Sequence, residues 1–359
     1  MSFSHSTIHA AVLLFPLCCA EPILAQEDTH HPCFEQPNGA KEAIHRLPES
    51  ARYWLAEDAV YIITPEERCG FLHLKTDQER EQFIEQFWYR RTVNPASLDY
   101  DFKTEHYRRI VFANEKYGGH LAGWKTDRGR IYVLFGPPDS VDLVAGRRAA
   151  AAAPNQDSDT YLHPAEKWHY SYIKDVGENV EFHFEYVAGR TEYALAAADQ
   201  NLLERADLNP NSFPVTSAPK IRFKDLEALI VSRIVRDQVK LRHRIEFAAA
   251  THATTLARMD IQIPCAACIR DGQVVPSIYP LFIRVSKPGW VVHDSELTTE
   301  IAVPDRSDSL LTLTAHLDVP LAPGTYQLAI AAKNAATGEA GVLRTQLDVP
   351  TYESLGTKN

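Results

Sequence analysis

The sequence predicts an α+β fold, with N-terminal helices packed on an antiparallel β-meander and then an all-β domain of immunoglobulin-like sandwich type. Three observations predict it. Apolar residues recur at helical spacing between residues 49 and 117, and short aromatic and β-branched runs separated by turn residues fill 130–197. Beyond a Pro/Asn/Ser-rich stretch at 206–220, about seven short strand-like runs appear with frequent turns. The expected organisation is a signal peptide over 1–25, a polar leader over 26–48, the α+β domain over 49–200, a linker over 201–220, the sandwich over 221–351 and a tail over 352–359.

The first helix is expected in "ESARYWLAEDAVYII", with Tyr53, Trp54, Ala56, Val60 and Tyr61 near one face. A second begins at Thr76, where Thr76 and Glu79 have capping-box spacing, and Phe83, Ile84, Phe87 and Trp88 form its apolar stripe. Arg90 and Arg91 then sit where the helix dipole favours cations. A third helix spans about Tyr100 to Tyr117, carries Phe102, His106, Ile110, Ala113 and Tyr117 on one face, and stops at Gly118-Gly119. From Arg130 the period changes, and "RIYVLF", "EKWHYSYI", "VEFHFEYV" and "TEYALAA" read as strands. The Ala-rich stretch between the first two reads as a surface loop. In the sandwich, Tyr326 sits where a tyrosine-corner residue falls.

Composition narrows the function. The chain has 359 residues, 45% hydrophobic and 23% charged, with a net charge of −10, which is globular and argues against nucleic acid as a partner. Ala10 to Ala20 form an apolar run too short to span a bilayer, and small residues offer cleavage after Ala20 or Ala25. His5 and His9 precede that run in place of Lys or Arg, and Phe15-Pro16-Leu17 before Cys18 is a poor lipobox. The expectation is therefore an exported chain, periplasmic or secreted, without a lipid anchor and with no membrane span in its mature part. Four cysteines remain beyond the signal peptide, and an even count in an exported protein suggests disulfides, Cys265 with Cys268 and Cys33 with Cys69. No metal or cofactor is expected, because neither a second CxxC nor a phosphate-cradling Gly-rich loop is present.

The most distinctive stretch is "GWKTDRGRIYVLFGPPD", residues 123–139. Asp127 is expected to accept a backbone N–H in an Asx-turn, Gly129 to supply positive φ, and Trp124 to cover the end of the third helix. Gly136, Pro137 and Pro138 end the strand, and Asp139 is expected to cap the next segment. With "WLAEDAVYIITPEER", "FLHLKTDQEREQFIEQFWYRR" and "EKWHYSY" in the same order, residues 50–200 resemble the GWxTD-domain proteins of bacteria, named for the Gly-Trp-x-Thr-Asp at 123–127. That resemblance implies an exported setting and carries no activity.

Two functions then compete. The first is a non-catalytic interaction or structural protein of the cell envelope with an envelope protein as partner, presenting Trp124, Asp127, Arg128, Arg130, Asp139 and Trp168 as its candidate binding residues. The second is an extracytoplasmic enzyme, a hydrolase for example, with Asp127, Arg130 and His169 converging on a substrate.

Overall fold

The computed structural model describes residues 43–91, 102–144, 165–174, 176–186, 193–205, 222–265, 268–270, 273–274, 277–299 and 311–352. The expected signal peptide, most of the leader, the Ala-rich loop, residues 206–220 of the expected linker, and Cys33 lie outside these.

Helix α1 (Glu49–Tyr53) runs directly into one π-helical turn, Trp54–Asp58. The wider turn swings Trp54, Leu55, Glu57 and Asp58 all inward and leaves Ala56 exposed, against the expected face. Helix α2 (Pro65–His73), which the apolar pattern did not reveal, starts with a complete capping box between Thr64 and Glu67 and a proline in its first turn. Helix α3 (Asp77–Arg91) opens as expected, Thr76 and Glu79 exchanging bonds of 2.9 and 3.2 Å. Its Phe87 and Trp88 are buried. Helix α4 (Phe102–Tyr117) buries His106, Tyr107, Ile110, Val111 and Ala113.

The run expected as the first strand is a helix. After a 3-10 turn at Gly123–Lys125, α5 spans Asp127–Phe135, with Thr126 as its N-cap and Gly136 at φ 82° as its C-cap. The physical reason for the misreading lies in its surroundings. Ile131 joins the core against the sheet, while Val133 joins the core of the other helices. A helix squeezed between two cores buries residues 129, 131 and 133, which imitates the period of a strand.

Strands β1 (Ser140–Val144), β2 (Ala165–Ile173), β3 (Gly177–Tyr186) and β4 (Tyr193–Leu195) come next as an antiparallel meander in sequential order. Of the helices before them, α5 packs on this sheet, joining Trp168, Tyr170, Phe182 and Phe184. Helices α1, α2, α3 and α4 make a separate aromatic core around Trp54, Phe71, Phe87 and Trp88. Trp54 meets Phe71 at 4.8 Å and Phe87 at 5.1 Å.

Helix α6 (Gln200–Arg205) occupies the start of the expected linker. The C-terminal part opens with another helix, α7 (Lys224–Val231), whose Leu226 and Ile230 pack on Phe282 and Ala331. Then come β5 (Arg242–Ala249), β6 (Thr255–Cys265), a small hairpin of β7 (Ile269–Arg270) and β8 (Gln273–Val274), β9 (Tyr279–Lys287), β10 (Trp290–Thr299), β11 (Leu311–Leu321), β12 (Gly324–Lys333) and β13 (Ala340–Val349). Two sheets, ordered β10-β9-β12-β13 and β11-β6-β5, share one apolar core of alternating residues such as Ile261, Ile263, Ile283, Val285, Val319 and Ile330. The Tyr326 hydroxyl donates to the Ala322 carbonyl, four residues upstream, at 2.8 Å. Cys265 and Cys268 form a disulfide. Cys69 is also disulfide-bonded.

The two parts are not strung apart. Ala250 and Leu256, at the end of the β5–β6 hairpin, are fully buried in the helical core. The Asn114 amide donates to the carbonyls of Ala249 and Ala250 at 3.2 and 2.9 Å. Arg108 pairs with Asp318 at 2.6 Å, and Arg258 with Glu115 at 3.2 Å.

Candidate functional site

The signature segment is held from all sides by its own fold. Trp124 is 3% exposed; its backbone N–H donates to Asn114 at 3.3 Å and its carbonyl accepts the Tyr61 hydroxyl at 3.1 Å. It thus lies inside the helical core, above α4. Burial pushes the Tyr61 hydroxyl up to about 12, so it stays a donor. The Thr126 hydroxyl donates to Gly123 at 2.7 Å and accepts the Gly129 N–H at 3.1 Å, capping α5.

Asp127 makes no Asx-turn. It is the first residue of α5, and its carboxylate accepts the Leu195 N–H of β4 at 2.8 Å, tying helix to sheet. Gly129 is not at positive φ. A Cβ there would lie 1.9 Å from the Gly123 carbonyl oxygen, and one on Gly123 would lie 1.8 Å from that of Ala113. Both glycines therefore serve close backbone packing of α4, the 3-10 turn and α5.

The charges of the segment take separate partners. Lys125 reaches Glu57 at 3.2 Å and lies over the Trp124 ring at 4.9 Å. Arg128 pairs with Glu166 at 2.8 Å between the rings of Tyr117 and Tyr193, and Glu166 also accepts the Trp168 indole N–H at 3.1 Å. Asp139 caps no helix; its carboxylate accepts the Ser171 N–H, and its own N–H donates to the His169 carbonyl at 2.9 Å.

The structure does not bring His169 to Asp127 and Arg130. Trp168 and Tyr170 face α5 in the core, so His169 between them points to the opposite face of the sheet. There it shares a charged surface with Glu181, which pairs with Lys167 at 3.1 Å, and with His183, whose ring meets Asp199 at 3.0 Å.

A second polar cluster, which no sequence motif announces, sits where the β5–β6 hairpin enters the helices. The Asp58 carboxylate is fully buried and accepts the hydroxyls of Tyr107 at 2.6 Å, Thr254 at 2.8 Å and Thr251. His106 meets the Asp58 carbonyl at 2.8 Å. Burial pushes the Asp58 carboxyl up to about 6 and the His106 imidazole down to about 4. Beside it, Glu57 accepts the His252 N–H at 3.0 Å and meets the His252 ring at 2.8 Å. Burial alone would raise Glu57, but His252 and Lys125 hold it below the usual carboxylate range. The only cue in the sequence is a pair of adjacent acids in a helix, which ordinarily marks a solvated face; the π-turn reverses that.

These features define an α+β domain whose signature chemistry is internal bonding between helix, turn and sheet. Residues 45–201 match the family model of the GWxTD domain. No curated protein matches the chain. Among solved structures, a protein from Archaeoglobus fulgidus is similar at 12% identity over 32% of this chain and 99% of its own, with a TM-score of 0.20, too low to transfer fold or function. Among the described residues no helix is long and apolar enough to cross a membrane.

Proposed function

We propose that the protein is an exported, non-catalytic interaction or structural protein of the cell envelope. In this reading the GWxTD domain presents a surface to a protein partner, and the all-β part is an immunoglobulin-like sandwich that adds a second contact surface or a spacer. The observation that carries it is the binding of Asp127 to the Leu195 N–H, which commits the signature carboxylate to joining α5 to the sheet instead of to a substrate. The separation of His169 from that helix by the sheet supports it further. Export is supported by the apolar N-terminal run and by the Cys265–Cys268 and Cys69 disulfides, which persist in oxidising compartments.

Cross-linking the tagged chain in its native host, then purifying it from the envelope fraction, tests this. A specific envelope protein should be recovered with the wild type and with a folded Asp127→Asn variant. Recovery of none, or a catalytic turnover that vanishes in that folded variant, would overturn the proposal.

A further inference from the structure

The tip of the β5–β6 hairpin is seated on the π-turn by two adjacent acids, Glu57 and Asp58. Glu57 accepts the His252 N–H at 3.0 Å, and the His252 ring stacks on Tyr53 at 4.9 Å. Asp58 accepts hydroxyls from both sides of the seam, Thr251 and Thr254 from the hairpin and Tyr107 from α4. Ala250 and Leu256 flank these bonds inside the helical core, and Asp58 is left 1% exposed. The closed seat thus takes one carboxyl group out of water at the contact between the two parts of the chain.

The partners of that carboxyl are neutral hydroxyls, and the neighbouring Glu57 repels its charge. The cations around it serve other acids: Lys125 and His252 meet Glu57, Arg91 meets Glu67 and Arg109 meets Glu105. His106 turns to the Asp58 carbonyl at 2.8 Å, not to the carboxylate. Burial among neutral groups beside a like charge favours the protonated acid. Hydroxyls also accommodate it, because each can accept as well as donate. With the seat closed the Asp58 carboxyl accordingly lies at about 6, and opening returns it towards an ordinary 3.8. A value raised in the closed state means that closure is tightest below 3.8 and weakens as pH rises through 6.

We infer that the seat of the hairpin tip on the π-turn is a proton-operated latch between the two parts, closed by protonated Asp58 and loosened when Asp58 ionises, while the helical core and the two-sheet core stay folded. Two nearby groups leave its sign intact between pH 5 and 7. Glu57, held below its ordinary 4.5 by His252 and Lys125, is largely ionised there whether seated or free. His106 lies between Trp88 at 5.4 Å and Phe102 at 6.2 Å on the helical side, so opening the seat leaves it enclosed. Complete unfolding exposes both Asp58 and His106, whose contributions oppose each other. Local opening alone therefore carries the full dependence on Asp58.

The test is amide hydrogen exchange of the full chain by 15N NMR, with each rate divided by that of an unfolded peptide at the same pH. The His252 N–H, which crosses the seam to Glu57, reports opening of the seat; the buried Ile283 of β9 reports unfolding of the sheets. The His252 opening constant should rise about tenfold from pH 5 to 7, while that of Ile283 stays within about threefold. In Asp58→Asn the rise at His252 should shrink below about threefold. Should that variant fail to fold, the wild type decides: the His252 rise should level off where the Asp58 carboxyl carbon, followed by 13C NMR, completes its titration. A flat His252 profile, an equal rise at Ile283, an undiminished rise in folded Asp58→Asn, or an Asp58 carboxyl already ionised at pH 5 would overturn the latch.

Discussion

At the scale of single residues, the signature segment works through close contact and internal hydrogen bonding. Gly129→Ala would place a methyl group 1.9 Å from the Gly123 carbonyl oxygen, so either α5 or the 3-10 turn must move. The expected loss is about 2–3 kcal/mol, read as a lower urea midpoint, and an unchanged midpoint would refute the packing role. Asp127→Ala leaves the Leu195 N–H without its acceptor and should cost about 1–2 kcal/mol. The importance of both residues was legible in the sequence, but the reasons were not. A glycine needed for φ and a glycine needed for space are the same letter, and only the carbonyl 1.9 Å away tells them apart.

At the scale of elements, the π-turn at Trp54–Asp58 and helix α4 hold two titrating groups of opposite behaviour side by side. The Asp58 carboxyl lies at about 6 in the folded chain against an ordinary 3.8, so the stability it adds is complete below that lower value and is lost as pH rises through 6. The His106 imidazole lies at about 4 against an ordinary 6.5, so its contribution is complete above 6.5 and lost as pH falls through 4. Each is worth at most about 3 kcal/mol, and in the wild type they nearly cancel between those limits. Asp58→Asn should therefore unmask a stability that falls on acidification from pH 6.5 to 4, and His106→Gln one that rises from pH 6 to 4. Urea unfolding across that range reads the slopes; variants that both track the wild type would show that neither group titrates as described. Elements with a capping signal or a one-sided stripe, such as α3, were readable from sequence. Helix α5 was not, because its two buried sides erase the stripe.

For the whole molecule, the β5–β6 hairpin couples the two parts. Ala250 and Leu256 complete the helical core, and Thr251 and Thr254 bond Asp58 within it. Thr254→Val removes a hydroxyl from that buried carboxylate at nearly constant volume, with an expected cost of about 1–3 kcal/mol. Because the cluster spans both parts, hydrogen exchange should accelerate in α4 as well as in β6; acceleration confined to β6 would show that the parts unfold independently. The wild type should melt in a single calorimetric transition for the same reason.

By itself the sequence determined the α+β class, the last three strands of the meander, the two-sheet core with its alternating strands, the Cys265–Cys268 bridge and the GWxTD resemblance that the family model matches over residues 45–201. Each of these is a local pattern: a period of two, a spacing of three, a cap beside a stripe. Tertiary structure alone decided that α5 is a helix, that Asp58 is buried, that His169 lies across the sheet from Asp127, and that Asp127 binds the Leu195 N–H. Those outcomes depend on which distant backbone or side chain arrives at a given point, and no local pattern records that.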